Sequence, residues 1–411
     1  MRGICMNNIV YDVNTAENDN HIILIDKLVK GANKCREIIK ESRPLLRIYS
    51  FNKDNDIVQF DNEEIIKINE MLKQIGLKLK LAMPEFVWPI PEDPSSLEIA
   101  LGRFSKLTLN DWKQIAACNR IEEIVANVSL DEINDFGKVH LVTPDNLPEL
   151  QVLAKGVPGS EAIIIIPPCA VPIRVFEPMI DEFSKHYFTI TFENPYLFHL
   201  WRSLPEPSGN ISDEVDYIGA VLKEFNITHA HLVGICGGAP IALAAAEKFG
   251  DLIKSIVVCH GDLKFGSDVA QTPFKQQFAS YLSGALKNEK KAIDVHTLFL
   301  DPSLLHGVSD ELGPFIMYPY ADFKLFMRYS KLNLALMEFD ATKTACNVNQ
   351  PTLIITSCDD RMAHPEGSYR LHQIILDSEL KIKESGSHHD ILLENKEIYN
   401  NILEFINGTQ F

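Results

Sequence analysis

The chain has 411 residues, 46% hydrophobic and 23% charged, the make-up of an ordinary globular protein with room for a large domain and a smaller one. Its formal net charge of -17 repels polyanions, which argues against nucleic acid or an anionic membrane surface as a partner. The cysteines (Cys5, Cys35, Cys118, Cys169, Cys236, Cys259, Cys346 and Cys358) form neither a C-x-x-C pair nor a Cys/His zinc spacing, so we expect free thiols in a reducing compartment, with no metal and no cofactor.

At the start, Met1-Arg2-Gly3-Ile4-Cys5-Met6-Asn7-Asn8 lacks the apolar region of a secretory leader. No apolar run approaches the ~20 residues that span a bilayer, the longest being 162–168. A cytoplasmic location is expected. Residues 1–135 carry helical periodicity: Ile22, Ile25, Leu28, Val29, Ala32, Cys35, Ile38 and Ile39 share one face over 20–42, and a second helix is expected over 62–75. Four prolines make 84–94 a loop, and helices resume over 95–127, with Thr108-Leu109-Asn110-Asp111 as a capping region before Trp112. No catalytic constellation occurs here. A helical accessory, docking or homodimerisation region is expected.

From Lys138 the period changes. Strands are expected over 138–143, 150–154, 162–166, 188–192, 229–233, 253–259 and 351–356, with helices over 176–185, 212–225 and 395–406. The run Ala162-Ile163-Ile164-Ile165-Ile166 does not alternate, as expected of a strand buried on both faces. Such alternation of strands and helices predicts an α/β domain with a mainly parallel sheet over 136–411. The stretch 263–350 breaks the alternation with helical patterns at 273–286 and 320–337, rich in Phe, Tyr, Leu and Met. An insertion there would sit over the strand ends, where ligands bind in open α/β sheets, and is read as a lid.

Between the fifth strand and an alanine-rich helix lies Gly234-Ile235-Cys236-Gly237-Gly238, a G-x-C-x-G nucleophile elbow with cysteine where serine is usual. Glycines on either side let the chain pass closely around the turn, and the helix N-terminus favours a thiolate. A tight turn around a buried cysteine would give the same five residues.

The order strand, turn, elbow, lid, acid loop and histidine loop over 138–411 resembles the α/β-hydrolase superfamily, whose nucleophile precedes its acid and its histidine. The resemblance implies an α/β-hydrolase fold and a triad. Its acid lies in Ser357-Cys358-Asp359-Asp360-Arg361, where the family pattern prefers Asp360 over Asp359; Asp262, after the preceding strand, is a competitor. In Gly386-Ser387-His388-His389-Asp390 the pattern favours His389 over His388, because Glu394 follows His389 by five positions. It also implies an oxyanion hole from the N–H groups of Gly237 and Cys169, although Pro167-Pro168 replaces the usual His-Gly.

A thiolate nucleophile suits thioesters, because the acyl-enzyme is itself a thioester that water or another nucleophile can resolve. Relatives with G-x-C-x-G on this fold include poly(hydroxyalkanoate) synthases, bile-acid amino-acid N-acyltransferases, dienelactone hydrolases and synthase thioesterases. The expected function is thus Cys236–His389–Asp360-dependent acyl transfer or hydrolysis. Its substrate would be a small acyl or polyketide group carried by coenzyme A or an acyl carrier protein. The alternatives are C–C or lactone hydrolysis and a non-catalytic scaffold that keeps a dead elbow.

Overall fold

The computed structural model describes residues 13–42, 47–48, 58–130, 137–159, 161–267 and 269–409. The segment 1–8, with Cys5, and the expected boundary at 135/136 lie outside them. The chain divides into two units, Met1–Ile133 and Asn134–Phe411.

In the first unit, helices begin where a side chain can satisfy the first-turn N–H groups. Asp61, Ser95 and Thr108 each close a capping box ahead of Asn62–Leu79, Ser96–Arg103 and Leu109–Ala117. The helices bury the periodic face: Ile25, Leu28, Val29 and Ala32 are fully shielded, as are Ile68, Met71 and Trp112. The proline-rich stretch is mostly loop, but Glu85–Phe86 pairs with Arg47–Ile48, and Phe86 packs on Trp112 with ring centroids 5.0 Å apart.

The second unit is built on an eight-stranded sheet. In chain order its strands are β1 (Lys138–Val142), β2 (Leu150–Lys155), β3 (Ala162–Ile166), β4 (Phe188–Glu193), β5 (Ala230–Ile235), β6 (Ile253–Cys259), β7 (Thr352–Ser357) and β8 (Ser378–Lys383). The spatial order is β8-β7-β6-β5-β3-β4-β2-β1. The β1–β2 and β2–β4 pairs are antiparallel and the rest parallel.

The four isoleucines of β3 explain its unbroken apolar run. Ile164 and Ile166 join the core under helices Ile211–Glu224 and Gly238–Lys248, while Ile163 and Ile165 join the core under Glu177–Phe183 and Lys396–Gly408. β8 is absent from the sequence-derived elements, and its composition explains why. Ser-Glu-Leu-Lys-Ile-Lys lies half-exposed at the sheet edge, where charged side chains also discourage pairing with another chain.

Register sets the site. Ile166 pairs with Gly234, and Ile235 with Cys259, so β3, β5 and β6 end level. The residues just past them, Cys236 and His260, still donate backbone bonds to Cys259 (3.0 Å) and Ile355 (2.8 Å). Functional candidates are thereby gathered at the carboxyl edge of the sheet. No described helix is long and apolar enough to cross a membrane.

Candidate active site

Cys236 has φ +50°, a left-handed backbone that a cysteine adopts only under constraint. The constraint is close packing. A Cβ on Gly234 would lie 2.7 Å from the Gly238 carbonyl oxygen, and one on Gly238 would lie 2.2 Å from that of Ile166. Both glycines are required, and the turn holds Cys236 half-buried at the cavity wall. Its carbonyl accepts the N–H groups of Ala239 and Asp262, each at 3.1 Å.

Asp360 receives four hydrogen bonds. Oδ1 accepts the backbone N–H groups of Met362 (2.8 Å) and Ala363 (2.9 Å). Oδ2 accepts Nδ1 of His388 (2.8 Å) and Nδ1 of His260 (2.9 Å). Burial works against its charge, but these donors outweigh burial and hold the carboxyl far below the usual carboxylate range.

Cys236 lies near His388 on the cavity wall. Burial disfavours its imidazolium; the Cys236 sulfur and the Asp360 carboxylate at its two ends overcome that, and its pKa lies well above the ordinary histidine value. With Nδ1 committed to Asp360, Nε2 is the nitrogen left for the thiol.

The histidine assignment from sequence needs correction. His388, not His389, stands between Asp360 and Cys236. The loop is a single 3₁₀ turn, His388–Leu392, entered through a Ser387 capping box, and successive residues on such a turn point about 120° apart. With His388 aimed inward, His389 faces along the cavity, its ring centroid 6.0 Å from that of His388. Burial first, then the neighbouring His388, lowers the His389 pKa to about 4. Counting back from Glu394 could not detect this rotation.

The acids separate cleanly. Exposed Asp359 accepts the N–H of Gly386 at 2.8 Å, and the Ser357 hydroxyl donates to the Gly386 carbonyl at 3.0 Å, so this loop pins the histidine loop in place. Asp262 forms an ion pair with buried Lys275, and both line the cavity. His260 was missed by the sequence reading, since a lone histidine after a strand carries no motif.

Cys169 and Gly237 also line the cavity, and a Cβ on Gly237 would lie 3.9 Å from the Cys169 backbone nitrogen. Neither N–H donates to a backbone carbonyl among the described residues. Ala170, at φ +60°, turns the chain away directly after Cys169. The cavity measures about 640 Å³. Its other wall comes from helices Pro273–Ala285, Glu289–Phe299 and Phe323–Glu338, through Phe278, Phe299, Tyr329, Asn333 and Met337. Asn333 donates to the Tyr329 hydroxyl at 3.2 Å.

The alpha/beta hydrolase fold family matches residues 162–396, more than half of the chain. Over 254 residues the chain is 22% identical to the putative carbamate hydrolase RutD of Serratia proteamaculans, a match covering 62% of this chain and 93% of that protein. Solved structures with the same fold include the enol-lactonase from Burkholderia xenovorans, at 15% identity and TM-score 0.51, covering 65% of this chain and 100% of that one. The bromoperoxidase from Bacillus anthracis is similar at 16% identity and TM-score 0.53, covering 66% and 100%. With its sheet order, elbow and family match, the chain belongs to the alpha/beta hydrolase fold family.

Proposed function

We propose that the protein is a cysteine-dependent acyl hydrolase or acyltransferase, with Cys236 as nucleophile, His388 as proton carrier and Asp360 as the group that orients it. The observation that carries this reading is that Cys236 and His388 line one cavity with His388 hydrogen-bonded to Asp360, beside the Gly237 and Cys169 N–H groups, which donate to no backbone carbonyl among the described residues. Cys236 Sγ attacks the acyl carbonyl carbon, its proton resting on His388 Nε2. Gly237 and Cys169 N–H groups stabilise the oxyanion. Collapse breaks the bond to the leaving group, which takes the proton from His388 and leaves a thioester on Cys236. Water or an acceptor, deprotonated by His388, then releases the acyl group.

The apolar, aromatic wall favours an extended acyl chain, and the thiol favours a thioester donor such as an acyl-coenzyme A or an acyl carrier protein conjugate. Incubation with acyl thioesters of several chain lengths should add one acyl mass to the intact protein, mapped to Cys236. Turnover in Cys236→Ala should fall by at least ~10³-fold. No adduct from any chemotype, together with full activity in the variant, would sink the assignment.

A second reading is hydrolysis of a lactone or carbamate. It is supported by the likeness to a putative carbamate hydrolase and by the Lys275–Asp262 pair, which places a charged pair in the cavity wall. Turnover of lactones or carbamates without turnover of thioesters would favour it.

A further inference from the structure

We propose that His260 is a positioning residue that shares the triad carboxylate with His388 and limits how strongly Asp360 pulls on the His388 proton. The proposal rests on the triad reading above. His260 directly follows β6, has φ +48° and is 1% exposed. Its backbone N–H is held by Ile355 at 2.8 Å. A bulky residue in left-handed backbone is strained, and here that strain turns the ring onto Asp360. The two histidine rings meet edge to face with centroids 5.6 Å apart, and both Nδ1 atoms reach the same oxygen, Oδ2, at 2.9 and 2.8 Å.

Chemistry fixes the protons. An ionised carboxylate only accepts, so both Nδ1 atoms carry hydrogen. Nε2 of His260 is buried and has no hydrogen-bond partner among the described residues. A proton there would be a buried donor without an acceptor, so the geometry assigns His260 the neutral tautomer with hydrogen on Nδ1. Neutral His260 adds no charge to the site. It places a second N–H dipole on the oxygen that faces His388, which draws negative charge away from the His388 bond. With Oδ1 fixed by Met362 and Ala363, it also leaves the carboxylate no other rotation.

Other groups facing this centre are Cys236 at the elbow, Tyr329 on the lid helix, and His389 and Asp390 on the histidine loop. Of these, His389 also interacts with His260. Removing the His260 N–H should therefore strengthen the pull of Asp360 and raise the pH at which His388 loses its proton.

The test is the pH dependence of Cys236 alkylation by iodoacetamide in the full chain, which needs no substrate. In His260→Phe the upper limb, set by loss of the His388 proton, should move up by about 0.5–1 pH unit while the lower limb stays. His260→Asn, whose amide can place an N–H where Nδ1 stood, should keep the wild-type profile. A slower rate with both limbs unmoved in the Phe variant, or an Asn variant that behaves like Phe, would overturn the proposal. If the Phe variant does not fold, proton NMR of the wild type decides. Two strongly deshielded imidazole N–H signals are expected, one of them lost in His260→Asn, and a single such signal in the wild type would be contrary. Absence of an acyl adduct on wild-type Cys236, together with full turnover in Cys236→Ala, would refute the acyl-transfer reading and leave these measurements on His260 intact.

Discussion

At the residue scale the site turns on which of two adjacent histidines faces the acid. His388 is buried and bonded to Asp360, while His389 is half-buried along the cavity. On a thioester or ester that the wild type cleaves, His388→Ala should lower kcat/KM by about 10³–10⁴-fold, and His389→Ala by less than ~10-fold. Equal losses would return the role to the pair. The turn that carries Cys236 and the loop that carries Asp360 were legible because each is a motif whose backbone shape is local. The choice between His388 and His389 was not, since a side chain's direction on one 3₁₀ turn depends on the contacts that seat the turn. Those contacts are the Asp359 and Ser357 bonds to Gly386, which come from another part of the chain.

At the element scale, the loop carrying Cys169 rests on β4 and on helix Ile211–Glu224. Glu193 accepts the N–H of Ile173 at 3.1 Å, and the Asn194 amide donates to Glu214 beside a small cavity of about 30 Å³ behind that loop. Burial raises the Glu214 carboxyl from 4.5 to about 7, with the Asn194 hydrogen bond working the other way. Between those two values the folded protein holds a proton that the unfolded chain has released. Stability from this group is thus full below about pH 4.5 and falls as pH rises towards 7. Glu214→Gln keeps the Asn194 bond and removes the titration. Urea unfolding should show the variant more stable than wild type above pH 7, by at most about 3 kcal/mol, with the two converging near pH 4.5. Parallel curves across that range would show that Glu214 does not titrate there. The strands of this region were readable from apolar runs; β8 was not, because an edge strand needs only half a hydrophobic pattern.

At the scale of the whole molecule, the chain divides into two units, each with buried apolar residues of its own. One is centred on Trp112, Ile25 and Met71 and the other on the two faces of the sheet. Each buries its own apolar surface, so differential scanning calorimetry should resolve two transitions. A fragment of residues 134–411 should keep only one of them, together with the wild-type pH profile of Cys236 alkylation. A single transition in the full chain, with an unfolded fragment, would mean that the units are thermodynamically one.

By itself the sequence determined what depends on neighbours in the chain. Its apolar periods place most strands and helices, and the glycines around Cys236 permit a turn that other residues would block. The G-x-C-x-G turn, the Asp359-Asp360 pair and the His388-His389 pair also come in the chain order of the α/β-hydrolase pattern. Tertiary structure decided what depends on residues far apart in sequence: the rotation that selects His388, the pairing of Asp262 with Lys275, and the second imidazole of His260 on Asp360, 100 positions away. Hydrogen bonds of this kind reach over about 3 Å, and the register of neighbouring β5, β6 and β7 brings the loops at their carboxyl ends that close.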